Sequence, residues 1–445
     1  MNMEGRQISF DRCIPELVHA VRSVEPTADF SGLRVVRDMH GRLYLTVPDD
    51  WPQPALDTLR EQLHRVLGPF SPGRNNGVAR CSETLSGEAL YREPSLVQWV
   101  GDTGVHLVER RAMGQDWVLQ PDPGQTSHPP RFVFHSLKGG VGRSTALMLW
   151  GRELVRQGRT VLLVDLDLEA PGLGAHMLPE QNRPEYGVLD WLVEDLVGNT
   201  HPGLAADMVA ESSLVDRPGL WLAPALGRTA AEHSESALAK LARAYLEGED
   251  GSGFAVRLQK MLGALEAEVQ PDVVLIDSRA GLHETVAAPL LHLDAEVFFF
   301  AVDVPATWEG YRYLFAHLAQ LASVSGSGSN DAQWRTRFHM VQARSTMRME
   351  DKYRFASSSY GVWVDTLYDA VSSDGMDGPD IAFTFDERDP EAPHWPFGIL
   401  RSEHFEAFNP MEQLADVGEA AIREAFGELF EGLHSCLSLL EEEAG

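Results

Sequence analysis

Eight consecutive residues, Lys138-Gly139-Gly140-Val141-Gly142-Arg143-Ser144-Thr145, bring three glycines, two cations and two hydroxyls together. Backbone that carries no side chain can approach a polyphosphate closely. Successive N–H groups at the start of a helix attract negative charge. Lys138 and Arg143 add positive charge, and the Ser144 hydroxyl suits a magnesium ion. The stretch reads as a cradle for a nucleoside triphosphate. Two further stretches carry carboxylates: Val161-Leu162-Leu163-Val164 runs into Asp165-Leu166-Asp167, and Val273-Val274-Leu275-Ile276 runs into Asp277-Ser278-Arg279-Ala280-Gly281. A carboxylate at the end of a buried strand beside the loop can hold a magnesium-bound water, and one beside a terminal phosphate can polarise the attacking water.

The surrounding pattern supplies elements that could hold these groups. Apolar runs at Phe132–Phe134, Val161–Val164, Leu220–Leu222, Val273–Ile276, Val297–Val302 and Phe338–Val341 alternate with helical spacing at Thr145–Gln157, Val188–Leu196, Ser236–Leu246, Val256–Leu265, Glu284–Leu291 and Tyr311–Leu321. Continuous apolar strands separated by helices predict an α/β domain with a mostly parallel sheet and helices on both faces. Ligands of such sheets sit at the carboxyl ends of strands, where each of these motifs falls.

A plain G-x-x-x-x-G-K-[ST] loop would need glycine at Leu137 and lysine at Arg143. The early Lys138 instead makes the loop resemble the deviant Walker A motif, KGGxGK[ST], of the ParA/MinD family of P-loop ATPases, with Arg143 in place of the usual lysine. The resemblance runs from Arg131 to Arg344. It implies a P-loop NTPase fold and an ATP-dependent homodimer with ATP held between subunits. Lys138 would then reach the partner subunit's nucleotide and act in catalysis. Gly139, Gly140, Val141, Gly142, Arg143, Ser144 and Thr145 would bind the nucleotide. Asp167 would orient the attacking water, and Ser144, Asp167 and Asp277 would serve Mg²⁺. Gly281 would offer a backbone N–H to the γ-phosphate, and Arg279 could contact phosphate or the facing subunit. The strand Phe338-His339-Met340-Val341-Gln342-Ala343-Arg344 falls where the family reads the base, which assigns Gln342 and Arg344 to the nucleotide. Arginine keeps the charge of the missing lysine and forks to phosphate oxygens.

Composition limits the partners. The 445 residues carry a formal net charge of −29, which disfavours nucleic acid and anionic membrane as partners. The lysines are Lys138, Lys240, Lys260 and Lys352, so the remaining basic residues are arginine. Three dispersed cysteines and no secretory pattern fit a cytoplasmic location. The sixteen histidines do not cluster at ligand spacing, so zinc is not expected.

Residues 1–128 read as a small N-terminal α+β domain, an accessory or interaction module, and 129–445 as the ATPase domain. Within the first, Leu33–Val36 and Leu43–Val47 flank His40-Gly41 as a hairpin, followed by a helix from Trp51 to Leu67. A second hairpin is expected from Val105–Val108 and Asp116–Leu119 around Met113-Gly114. Pro121–Pro130 reads as a linker, Ser323–Asn330 as a flexible loop and Ser372–Pro396 as irregular. The acidic, apolar-striped stretch Met411–Leu440 reads as a helix packed on the body, with a partner helix as the alternative. The function expected is slow ATP hydrolysis coupled to dimerisation, a switch acting on an unidentified protein partner. A non-hydrolysing, nucleotide-binding interaction scaffold and a DNA-partitioning ATPase are the alternatives. The composition with this KGGVGR variant resembles that of bacterial regulatory or phage-defence systems.

Overall fold

A computed structural model of the chain describes residues 8–84, 97–99, 105–111, 113–121, 128–248, 251–324, 333–346, 348–369 and 382–444. Most of the expected linker, the loop at 325–330 and residues 372–381 of the expected irregular stretch lie outside them. The chain divides into two compact units, Met1–Gln120 with Gln320–Ser327, and Pro121–Ala319 with Gly328–Gly445.

In the first unit, helices α1 (Cys13–Val24) and α2 (Gln53–Leu67) share a core with strands β1 (Arg34–Arg37), β2 (Leu43–Val47), β3 (Val78–Arg80) and β5 (His106–Glu109), and these strands with β4 (Val97–Trp99) form one sheet ordered β3-β2-β1-β5-β4. The expected first hairpin is present: β1 and β2 are antiparallel, and the Asp38 carboxylate accepts from the N–H groups of His40 and Arg42 across the turn. The expected second hairpin is not. Strand β5 pairs parallel to β1 and antiparallel to β4, while Gln115–Val118 forms a short helical turn. Gly114 opens that turn in the left-handed conformation, and the Gln115 side chain folds back onto Glu109 and Arg111. Burial of Trp117 and Val118 then needs no strand.

The second unit is the α/β domain. Strands β6 (Arg131–Ser136), β7 (Val161–Asp165), β8 (Ala210–Glu211), β9 (Leu220–Ala223), β10 (Val273–Asp277), β11 (Glu296–Ala301), β12 (Phe338–Ser345) and β13 (Phe397–Leu400) form one sheet in the order β13-β12-β11-β6-β10-β7-β9-β8. Its pairs are parallel except β8 with β9. The longer helices are α3 (Arg143–Arg156), α4 (Val188–Leu196), α5 (Ser234–Ala244), α6 (Phe254–Val269), α7 (Pro305–Val324), α8 (Met349–Val364) and α9 (Pro410–Ala444). Side chains that alternate along a strand leave by opposite faces. Phe132, Phe134, Leu163 and Leu275 pack with α3 and α9, and Phe299 on the other face meets Tyr311 and Phe315 of α7. Both faces are therefore covered, as the unbroken apolar runs require.

Two close approaches shape this unit. A Cβ on Gly151 of α3 would lie 3.1 Å from Leu163, so the helix sits directly against the sheet. Gly187 and Gly227 pass backbone to backbone: a Cβ on Gly187 would lie 2.7 Å from the Gly227 nitrogen. Helix α9 breaks at Gly418 (φ 71°), and its later part buries Phe426, Leu429, Leu433 and Leu437 against the sheet-facing core. That is the packed helix expected for Met411–Leu440. No helix among the described residues is long and apolar enough to cross a membrane.

Candidate functional site

The glycine-rich loop follows β6 and opens α3. Gly140 and Gly142 take positive φ (72° and 85°), conformations glycine adopts without the cost a side chain brings. Gly142 is the N-cap of α3, so the free N–H groups of the first turn face the loop. Lys138, Gly139 and Gly140 are exposed, Val141 and Arg143 are buried, and Ser144 and Thr145 lie between. A Cβ built on Gly139, Gly140 or Gly142 meets no atom within 4 Å, so the loop leaves an open cradle. Lys138 has no side-chain partner among the described residues.

Sheet order brings the carboxylates here. Strand β10 lies between β6 and β7, so three adjacent strand ends deliver the loop, Asp277 and the Asp165–Asp167 segment to one edge. Asp165 accepts from the N–H groups of Asp167, Gly172 and Leu173, which folds the segment after β7 into shape. Burial and the neighbouring Asp277 carboxylate push Asp165 up to about 7, against the pull of those donors. Asp167 is also held above the usual carboxylate range by burial, which outweighs Arg143 beside it.

Arg143 stands at the centre. Its Nε donates to Asp277 Oδ1 at 2.5 Å, Nη1 to Ser136 Oγ at 3.2 Å and Nη2 to Asp167 Oδ2 at 3.3 Å. Ser144 Oγ donates to the other Asp277 oxygen at 2.5 Å. Burial works against the Arg143 charge, but Asp277 and Asp167 more than compensate and raise its pKa. Next to it, burial and the Arg143 charge depress His135 to about 3, so His135 is neutral. The oxygen donors Ser144, Asp167 and Asp277 are of the kind a magnesium ion takes. They fit that ion in kind, and Ser144 and Asp277 would hold it, with Asp167 close by, once Arg143 gives way.

The other expected residues lie around this centre. Gly281 (φ 93°) donates its N–H to the Ser136 carbonyl at 2.9 Å, which ties the loop after β10 to the end of β6. Arg344 sits in a register shift between β12 and β13 with φ 55°, a conformation that costs a non-glycine residue about 1–3 kcal/mol. There its Nη2 donates to the Gly140 carbonyl at 2.8 Å. Gln342, two residues earlier on the same strand, is buried, with its Oε1 unpaired among the described residues.

Two constellations escape sequence reasoning. Glu169, after β7, receives Arg279 from the loop after β10 and the Tyr245 hydroxyl at 2.7 Å, with His283 Nε2 at 3.7 Å. It fastens the two acidic loops to each other, and it gives Arg279 a partner within the chain. Farther off, Glu296, His339 and Cys436 converge from β11, β12 and α9. His339 Nε2 lies 2.6 Å from Glu296 and 3.9 Å from the Cys436 sulfur. Local spacing could not reveal a cluster drawn from three elements.

Burial opposes a charge on His339, but Cys436 and Glu296 overcome it and raise the imidazole to about 10. A histidine raised above its unfolded value stabilises the fold fully below about 6.5, and that stabilisation is lost as pH climbs through the folded value. The difference in urea midpoint between wild type and His339→Gln should therefore narrow between pH 7 and pH 10. A constant difference would show that the pair contributes packing alone.

No family model matches the chain, and no curated protein matches it. Among solved structures it is similar to a plasmid partition protein from Borrelia burgdorferi, at 19% identity over 44% of this chain and 74% of that one, with a TM-score of 0.31. It is similar to McdA from Cyanothece, solved as an ATP complex, at 16% identity over 70% and 98% of the two chains, with a TM-score of 0.43. It is similar also to the cell-division protein MinD from Aquifex aeolicus, at 16% identity over 69% and 97%, with a TM-score of 0.40.

Proposed function

We propose that the chain is an ATP-binding, magnesium-dependent P-loop ATPase that dimerises on its nucleotide and acts as a switch on a partner protein. The observation that carries this reading is the convergence of Ser144, Asp167 and Asp277 beside an open glycine loop with an exposed lysine. The resemblance of the KGGVGR loop to the deviant Walker A motif supports ATP as the nucleotide. The loop backbone and the first turn of α3 would bind the phosphates, and Arg344, reaching Gly140, would brace the loop from the far side. Asp167 would orient water, and Lys138 would cross to a partner subunit. A magnesium ion at Ser144 and Asp277 would neutralise phosphate charge. The N-terminal unit, which carries no catalytic constellation among its described residues, would supply the contact with the partner. A cytoplasmic setting, in a bacterial regulatory or phage-defence system, completes the proposal.

Sedimentation velocity with and without ATP and Mg²⁺ tests it. The mass should double on ATP for the wild type, and the dimer should persist longer for Asp167→Ala. An unchanged mass for both proteins would sink the reading. The second reading, a scaffold that binds nucleotide without turning it over, is favoured by the ion pair that holds Asp167 on Arg143. Phosphate release above that of Lys138→Ala would count against the scaffold.

A further inference from the structure

A loop cation with phosphate as its only use would point its charge into the cradle. Arg143 does not. Its side chain is 8% exposed, and its fork spends one nitrogen on each of three acceptors: Asp277 at the end of β10, Asp167 beyond β7 and Ser136 on β6. Lysine brings its donors to one nitrogen, whereas a planar guanidinium offers a separate nitrogen to each of the three acceptors, in a fixed fork. The arginine is thus the residue type this arrangement needs, at the one loop position where the chain departs from lysine.

We infer that Arg143 is the resident cation of the site: in the nucleotide-free protein its guanidinium bridges Asp167 and Asp277 and keeps a divalent ion from bridging them. Phosphate oxygens are the other acceptors to which a guanidinium forks. An arriving triphosphate therefore draws Arg143 off the carboxylates and opens them to the metal in one move. Asp167 is held idle until then, so metal and catalytic carboxylate become available only with nucleotide present. The release step rests on the nucleotide reading above, but the exclusion of metal does not.

Manganese binding followed by electron paramagnetic resonance separates the two. Without nucleotide, wild type should leave Mn²⁺ free at concentrations where Arg143→Gln takes up one equivalent, a gain in affinity of at least about tenfold from removing a competing charge at hydrogen-bond distance. Arg143→Lys keeps a charge but not the fork, and should fall between them. It also keeps the experiment decisive if Arg143→Gln fails to fold. Wild type that binds Mn²⁺ as tightly as the folded variants overturns the inference. ATP added to wild type should then bring Mn²⁺ onto the protein. If the variants gain Mn²⁺ but no form binds ATP, the nucleotide reading falls and the resident cation stands.

Discussion

Asp277→Ala should lower the urea midpoint of unfolding more than any other single change in the site, by about 3–5 kcal/mol of stability. The carboxylate side chain is 3% exposed and holds two donors, Arg143 Nε and Ser144 Oγ. Its removal leaves a guanidinium 8% exposed with only the more distant Asp167 and Ser136. A buried cation left with its weaker partners costs more than the net value of the pair it came from, because its desolvation is then only partly offset. Asp277→Asn retains the shape and one acceptor, and should lose distinctly less. If alanine and asparagine cost the same, the charge of Asp277 and not the retained acceptor holds Arg143; if neither lowers the midpoint, Asp277 does not hold it in place.

Lys138→Ala should do the reverse, leaving the fold untouched and abolishing ATP-dependent dimerisation. The ammonium is exposed and unpartnered among the described residues, so its loss should change stability by no more than about 0.5 kcal/mol. Melting curves of variant and wild type should overlay, while the ATP-induced doubling of mass disappears. A Lys138→Ala protein that still dimerises on ATP would remove the cross-subunit role proposed for this residue. The contrast with Asp277 is useful because the two residues belong to one site yet act through opposite links, one through folding and the other through assembly.

What could be read from the sequence follows from what is local. The strand β6, the loop and α3 announce themselves within about 25 residues, through an apolar run, glycines and helical spacing. The same holds for β7 and β10, whose acidic ends were legible because a buried parallel strand is apolar until its carboxyl end. Short edge elements were not: β8 has two residues, too few for a period, and β13 follows directly on a stretch rich in Asp, Gly and Pro. The turn at Gln115–Val118 reads as a strand because Trp117, Val118 and Leu119 make a short apolar run, which periodicity alone cannot tell from a helical turn. Side-chain partners were illegible for a different reason. Nothing near Arg143 in sequence says that its fork reaches Asp277, 134 residues away, and nothing near Arg344 says that a register shift turns it back to Gly140. Arg279 could be suspected of function, but only the adjacency of β7 and β10 shows that Glu169 holds it.

The two kinds of glycine in the α/β unit would leave different marks on a saturation library. Selection for folding alone would empty Gly187 and Gly227 of every variant, since any side chain there runs into the opposing backbone. Depletion at those positions would resemble a functional signature and carry none. Gly139 is the informative position: it has open space over its Cα and no positive φ, so alanine is acceptable to the folded chain. A library sorted first for soluble protein and then for activity should keep alanine at 139 through the first sort and lose it in the second. The loss would measure how closely the phosphate chain lies against that backbone.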